Sequence, residues 1–139
     1  MTQTIIDGSC LCGAVQYEVS GDPQWFYHCH CSRCRKATGT GHASNLLIPH
    51  GSLKWVRGEG LVKSYKIPEA KRFTNCFCSN CGARLPRYVR ESGMVVIPAG
   101  SIDSELDFKP QFRIFWDSRV KWSCGGDKIP VHAEYPPES

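Results

Sequence analysis

Residues 27–36 read YHCHCSRCRK. Cys29, Cys31 and Cys34 bring three thiols into this stretch, with His28 and His30 beside them and Arg33, Arg35 and Lys36 interleaved or following. That density of soft ligands points to a metal clip, a disulfide knot or a reactive centre. The choice decides how the chain holds itself together. A structural zinc takes four ligands, so three cysteines leave one position to account for.

The rest of the chain narrows the choice. Its 139 residues suit a single domain spanning 1–139. Hydrophobic residues make up 41%, enough for a modest core, and charged residues 22%, too few and too scattered for a disordered chain. The net charge of +4 suits an anionic small molecule, while the lack of a long basic run gives nucleic-acid binding no support. The opening MTQTIIDGSC has neither a basic n-region nor an apolar h-region. No segment approaches the ~20 apolar residues of a membrane span. The expectation is a cytoplasmic protein with no membrane partner. No heptad or adhesive edge sets an oligomeric state.

In a reducing compartment, nine cysteines read as metal ligands or reactive groups before disulfides. Nine is odd, and neighbouring pairs such as Cys10/Cys12 and Cys78/Cys81 would close rings too small to constrain the unfolded chain much.

Short strand-like runs dominate between the ends. Ala14 to Val19 alternates, with Val15, Tyr17 and Val19 on one face. Further runs are Leu46 to Ile48, Leu53 to Val56, Leu61 to Ile67, Arg72 to Phe77, Met94 to Ile97 and Phe112 to Trp116. Gly, Pro, Asp or Ser punctuates most of them. One short helix is expected, from about Ser32 to Ala37, stopped by Gly39. The fold class expected is all-β: a single zinc-stabilised domain of short antiparallel strands with at most one short helix. Residues 133–139 read as a loose tail.

The cysteines fall into three groups, Cys10/Cys12, Cys29/Cys31/Cys34 and Cys78/Cys81, with Cys76 and Cys124 apart. The first and last groups make a four-thiolate set, the closed site of a structural zinc. In Cys78-Ser79-Asn80-Cys81-Gly82 the two-residue spacer lets both sulfurs point at one metal, and Gly82 relieves the next turn. Cys10 and Cys12 share a face if they sit at a strand end. Such a site ties the N-terminal strand to the middle of the chain, closing a long loop. The bland reading of this pair is two cysteines packed in the core.

Cys29, Cys31 and Cys34 on one zinc would leave the fourth position open, the mark of a catalytic site. His28 or His30 could close it, although strand alternation turns both away from the sulfurs. A redox dithiol at Cys31/Cys34 is the other alternative. Arg33, Arg35 and Lys36 could offset the thiolate charge and hold an anionic substrate, or form a solvated helix face. Cys76, in alternation with Cys78, is a competing ligand or an inert core thiol. Cys124 reads as structural or free, and His42, His50 and His132 as ordinary loop histidines.

These motifs resemble those of the glutathione-dependent formaldehyde-activating enzyme family, which includes the centromere protein V domains. Gly8-Ser9-Cys10-Leu11-Cys12-Gly13-Ala14-Val15 is similar to its G-x-C-x-C-G-x-V opening, and Cys29 to Lys36 to its C-H-C-x-x-C-R-K motif. Phe77 to Leu85 resembles F-C-x-x-C-G-x-x-L, Pro98 to Asp103 resembles P-x-G-[ST]-[LI]-D, and Ser118 to Trp122 resembles S-[RK]-x-x-W. The likeness covers about residues 8–122. It implies a β-rich fold with two zinc ions. One would be structural, on Cys10, Cys12, Cys78 and Cys81; the other would be held by Cys29, Cys31 and Cys34. The implied activity joins formaldehyde to glutathione, giving S-hydroxymethylglutathione, a carbon–sulfur lyase chemistry run in either direction.

On this reading, the open position activates the thiol or polarises the aldehyde oxygen. Arg33, Arg35 and Lys36 would meet the thiol's carboxylates, Thr38 to Gly41 would offer backbone N–H groups, and Trp25, Phe26 and Tyr27 would wall the pocket or fill the core. The chain departs from the family pattern at Phe112-Arg113-Ile114, where many members carry a histidine, and after Trp122. Those positions bear on substrate choice rather than on the metal ligands. A zinc-stabilised binding or regulatory module accounts for the four-cysteine set but leaves the middle cluster without a role.

Overall fold

The computed structural model describes residues 4–123 and 129–137; Cys124 and the Gly125 to Asp127 stretch lie outside the described residues. Two sheets share the main core. In the first, β1 (Ile5–Ser9) pairs antiparallel with β2 (Gln16–Ser20), and β2 with β5 (Ser52–Arg57). The second is built on β3 (Trp25–Cys29), β4 (Ala43–Pro49), β8 (Arg87–Val89), β9 (Met94–Pro98) and β10 (Phe112–Ile114), in the order β10-β3-β4-β9-β8. A hairpin of β6 (Val62–Lys66) and β7 (Thr74–Cys78) completes the set. Among the described residues every strand pairing is antiparallel except β10 on β3, which is parallel and sets Ile114 opposite Cys29.

The fold is mainly β with one α-helix among the described residues, as the composition and patterning anticipate. The alternation of Val15, Tyr17 and Val19 is realised: all three are essentially inaccessible to solvent. They meet Leu46 and Ile48 of β4 and Val95 and Ile97 of β9 in one cluster. Burying each of these large side chains contributes about 1.5–3 kcal/mol. The lone helix α1 (Ser32–Thr38) is stopped by Gly39 at φ 73°, whose N–H donates to the Arg35 carbonyl. Arg35 and Lys36 in its last turn suit the negative end of the helix dipole.

The sequence reading passes over three strands. β1 contains Gly8, a poor strand former, kept because a side chain there would collide with Tyr17 and the Ser101 carbonyl. β3 holds aromatics readable as plain core, and β8 has only three residues. The run from Phe112 to Trp116 is shorter as a strand than expected. It ends at Ile114 because Phe115 turns left-handed, at φ 54°, into a 3-10 turn over Trp116–Ser118. No helix of the described residues is long and apolar enough to cross a membrane.

Candidate metal centres and their cavity

Cys10, Cys12, Cys78 and Cys81 bring their sulfurs within 4.8 Å of one another. The Cys10–Cys12 separation is 3.6 Å and the Cys12–Cys78 separation 4.0 Å. Tetrahedral zinc with ~2.3 Å zinc–sulfur bonds needs sulfurs about 3.8 Å apart, so the set fits the ion. The first pair converges by a different route from the strand end anticipated. Cys10 to Gly13 is a tight turn: the Gly13 N–H donates to the Cys10 carbonyl at 3.0 Å, with Gly13 at φ 78°. The second pair closes in the same way, with Gly82 N–H on the Cys78 carbonyl at 2.7 Å and φ 78°. Each turn needs a glycine just after its second cysteine because only glycine takes that conformation without strain.

Donors support the sulfurs. The Val15 N–H reaches Cys10 Sγ at 3.3 Å, and Asn80 Nδ2 reaches Cys12 Sγ at 3.2 Å. The Asn80 amide lowers the Cys12 pKa, and the backbone at Ala83 and Cys12 brings Cys81 down to about 6. Such hydrogen bonds favour thiolates, the form that binds metal. Cys76 stands outside the set, half-buried at the rim of the core with its thiol pushed up by burial.

The second cluster forms at the junction of β3 and α1. Cys29 is the last residue of β3, Cys31 caps the helix and accepts the Cys34 N–H at 3.3 Å, and Cys34 lies in the first turn. The helix thus uses a thiol where Ser or Asp is usual, and the capping sulfur is also a member of the three-thiol cluster. All three sulfurs lie within 4.8 Å of one another. Among the described residues no fourth Cys, His, Asp or Glu joins them. Cys29 and Cys34 are buried; Cys31 is partly open. The Cys34 thiol donates to Cys29, which drops to about 6 while Cys34 is pushed up.

The histidines of this stretch lie elsewhere. His28 hydrogen-bonds Ser44 Oγ through Nδ1 at 2.9 Å and packs on His42, ring centroids 4.0 Å apart. His30 is fully buried and meets His42 and Trp116, each at 5.1 Å. His42 is therefore part of a packed group rather than a plain loop histidine. Burial, with His42 close by, lowers His28 to about 4.

A cavity of about 510 Å³ opens over the three thiols. Tyr27, Asn45 and Phe73 form part of its wall, and Arg33, Arg84 and Arg87 supply positive charge. Arg84 and Arg87 escape the sequence reading. Arg84 Nε donates to Asn75 Oδ1 at 2.7 Å, and Arg87 Nη1 to the Arg72 carbonyl at 3.2 Å. Burial lowers the Arg84 pKa, and the Cys34 sulfur opposes that shift. Their only sequence cue is position: Arg84 follows Cys81-Gly82 by two residues, on the exit from the four-thiol turn.

The three cations anticipated from the sequence separate. Arg33 lines the cavity; Lys36 lines a neighbouring groove with Arg33; Arg35 Nη2 is 3.4 Å from the Ser118 carbonyl. Thr38 Oγ1 caps the helix through the Cys34 carbonyl at 2.9 Å, and Thr38 to Gly41 do not line this cavity. Of the three aromatics, Tyr27 walls the cavity, Phe26 is buried in the core and Trp25 is partly exposed at the sheet.

Comparison with known proteins agrees with this arrangement. The sequence profile described as glutathione-dependent formaldehyde-activating enzyme matches residues 5–118. A Halomonas elongata protein named "Putative glutathione-dependent formaldehyde-activating enzyme" is 34% identical over 128 residues, spanning 85% of this chain and 79% of the relative. A crystal structure of a Rhodobacter sphaeroides protein superposes with a TM-score of 0.56 at 21% identity, over 76% of this chain and 98% of that one, and so shares the fold. Both thiol clusters lie within the matched residues, and the chain belongs to the glutathione-dependent formaldehyde-activating enzyme family.

Proposed function

We propose that the chain is a zinc-dependent enzyme of the carbon–sulfur lyase type, adding glutathione or a similar anionic thiol to formaldehyde or a related small aldehyde, and catalysing the reverse. The observation that carries this reading is a three-thiol set with no fourth protein ligand among the described residues, opening into a cavity walled by Arg33, Arg84 and Arg87. Family membership and the relative's name supply the two reactants.

Cys10, Cys12, Cys78 and Cys81 would hold a structural zinc, and Cys29, Cys31 and Cys34 a second one. When bound at the second set, zinc supplies a Lewis acid and lowers the pKa of a thiol or polarises a carbonyl. Arg84 and Arg87 hold the carboxylates of the thiol, and Arg33 adds a third positive charge to the same cavity. Arg35 and Lys36 add positive charge from the last turn of α1. Tyr27 and Phe73 exclude water from one side. In the addition, the thiol sulfur bonds to the carbonyl carbon, the carbon–oxygen π pair moves to oxygen, and the thiol proton ends on the new hydroxyl. Positioning two small reactants is where most of the rate gain arises.

The test is zinc per chain on protein purified without chelator, on the wild type and on Cys31→Ser, before and after zinc is added back. Two zincs falling to one, with circular dichroism unchanged and glutathione–formaldehyde turnover abolished, is the expected result. A count that stays at one in zinc-replete wild-type protein would remove the second metal and the reaction with it.

A further inference from the structure

The cavity over the three thiols is the middle of a row of three. On one side it shares Thr74 and Arg87 with a cleft of about 380 Å³ that also takes in Lys71, Arg72 and Arg90. On the other it shares Ser32, Arg33 and Phe73 with a groove of about 360 Å³ between α1 and the β6–β7 hairpin. Ala37, Tyr65 and Ile67 give that groove an apolar wall, and the aliphatic stem of Lys36 can cover part of it. The two flanks differ in balance: the cleft sets Lys71, Arg72, Arg87 and Arg90 against one carboxylate, Glu91, whereas the groove sets Ala37, Tyr65, Ile67 and Phe73 beside Arg33 and Lys36.

A thiol carrying carboxylates belongs on the cationic flank by charge. Formaldehyde leaves the other flank without a purpose, because its carbon bears only hydrogens. Tyr65 is 60% exposed on its strand, although a side chain of its size gains most from being covered. The groove meets the thiol cavity at Ser32 and Arg33, the two residues between the ligands Cys31 and Cys34. A group seated in it can therefore belong to a molecule whose other end reacts at the thiols.

The geometry points to a carbonyl substrate larger than formaldehyde: an aldehyde bearing an apolar chain or ring. Its tail would lie against Ala37, Tyr65, Ile67 and Phe73, and its carbonyl carbon would turn across Ser32 toward the thiol cluster. This inference rests on the thiol–aldehyde addition proposed above. The step is balanced in the same way. The new sulfur–carbon bond replaces the carbonyl π bond, the thiol proton moves to the oxygen, and the product is a hemithioacetal. No oxidant or reductant is required.

Two measurements test it. First, zinc-loaded protein is assayed with glutathione and acetaldehyde, butanal and hexanal, and each rate is divided by its uncatalysed rate. That enhancement is expected to rise about two- to fourfold per added methylene. Tyr65→Ser, at an exposed strand position, is expected to lower the ratio of hexanal to formaldehyde turnover at least threefold. Ala37→Phe, which fills the groove, should lower it further. Second, hexanol is titrated into the same protein while backbone amide shifts are followed. Saturable shifts confined to residues 32–37 and 65–75, weakened in Tyr65→Ser, are expected. Formaldehyde turnover with flat chain-length dependence and no such shifts overturns the inference while leaving the proposed function standing. Groove shifts without any turnover support the groove and overturn the reaction. Shifts at these residues that follow protein concentration instead of alcohol mean that a second copy fills the groove, and also overturn the inference.

Discussion

Arg84 is held at 2.7 Å by Asn75 Oδ1 and lies three residues after Cys81, so a member of the four-thiol set and a cation of the three-thiol cavity share one turn. The chain leaving that turn also bonds back to β7: the Cys78 N–H meets the Ala83 carbonyl and the Leu85 N–H meets the Cys76 carbonyl, both at 2.9 Å. One turn of the four-thiol set thereby places charge in a different site.

Cys81→Ser tests that link. Loss of one thiolate from a closed zinc site is expected to lower the melting temperature by more than 10 °C, because metal binding and folding are coupled. The KM for glutathione should also rise, although Cys81 is not part of the three-thiol cluster. Thermal melts and steady-state kinetics on zinc-replete protein give both values. An unchanged KM would separate the turn from the cavity.

Arg84→Gln is expected to raise the KM for glutathione roughly 10- to 100-fold, the worth of one charge-assisted hydrogen bond to a carboxylate. Arg84→Lys should recover little of this, since an ammonium cannot reproduce the planar fork that also reaches Asn75. Turnover of 2-mercaptoethanol, which has no carboxylate, should change far less in both variants. A uniform loss for both thiols would make Arg84 a structural residue.

Tyr17 makes stability depend on pH away from the thiol clusters. Its hydroxyl is 2.6 Å from Ser101 Oγ in the core, and burial raises its pKa to about 12 from the usual 10. The folded state therefore keeps a proton that the unfolded chain has released. The contribution is whole below pH 10 and is lost as pH climbs through 12, at up to about 1.4 kcal/mol per pH unit. Chemical denaturation between pH 9 and 12 should show this decline. Tyr17→Phe should start less stable and decline less steeply.

Gly58→Ala should cost about 1–3 kcal/mol. Gly58 adopts φ 80°, and a Cβ there would press on the Ala14 carbonyl. Its neighbour Gly60 has open space around it, so Gly60→Ala is the control and should be nearly neutral. Urea denaturation of the two variants separates them.

The two thiol clusters were legible because cysteine spacing is a local property. Two sulfurs one or two residues apart, followed by glycine, converge whatever the surrounding sheet does. Hydrophobic alternation exposed β2 for a similar reason: Val15, Tyr17 and Val19 repeat with the strand's own period. The turn at Cys10–Gly13 was hidden because a one-residue spacer suits both a strand and a bend. Arg84 and Arg87 were hidden because they reach the cavity through the path of the chain after Gly82, and no periodicity encodes that path. His42 looked solitary because its partners, His28 and His30, are neighbours across the β3–β4 pairing rather than along the sequence.

The three thiols from Cys29 to Cys34 come from one strand end and the helix that follows it. That makes the open cluster local. A strand running into a short helix brings its three thiols and its cap together in one segment. The four-thiol set has no such independence, since Cys12 and Cys78 are 66 positions apart. One cluster is contained in a single segment of the chain; the other exists only once the architecture it joins has closed.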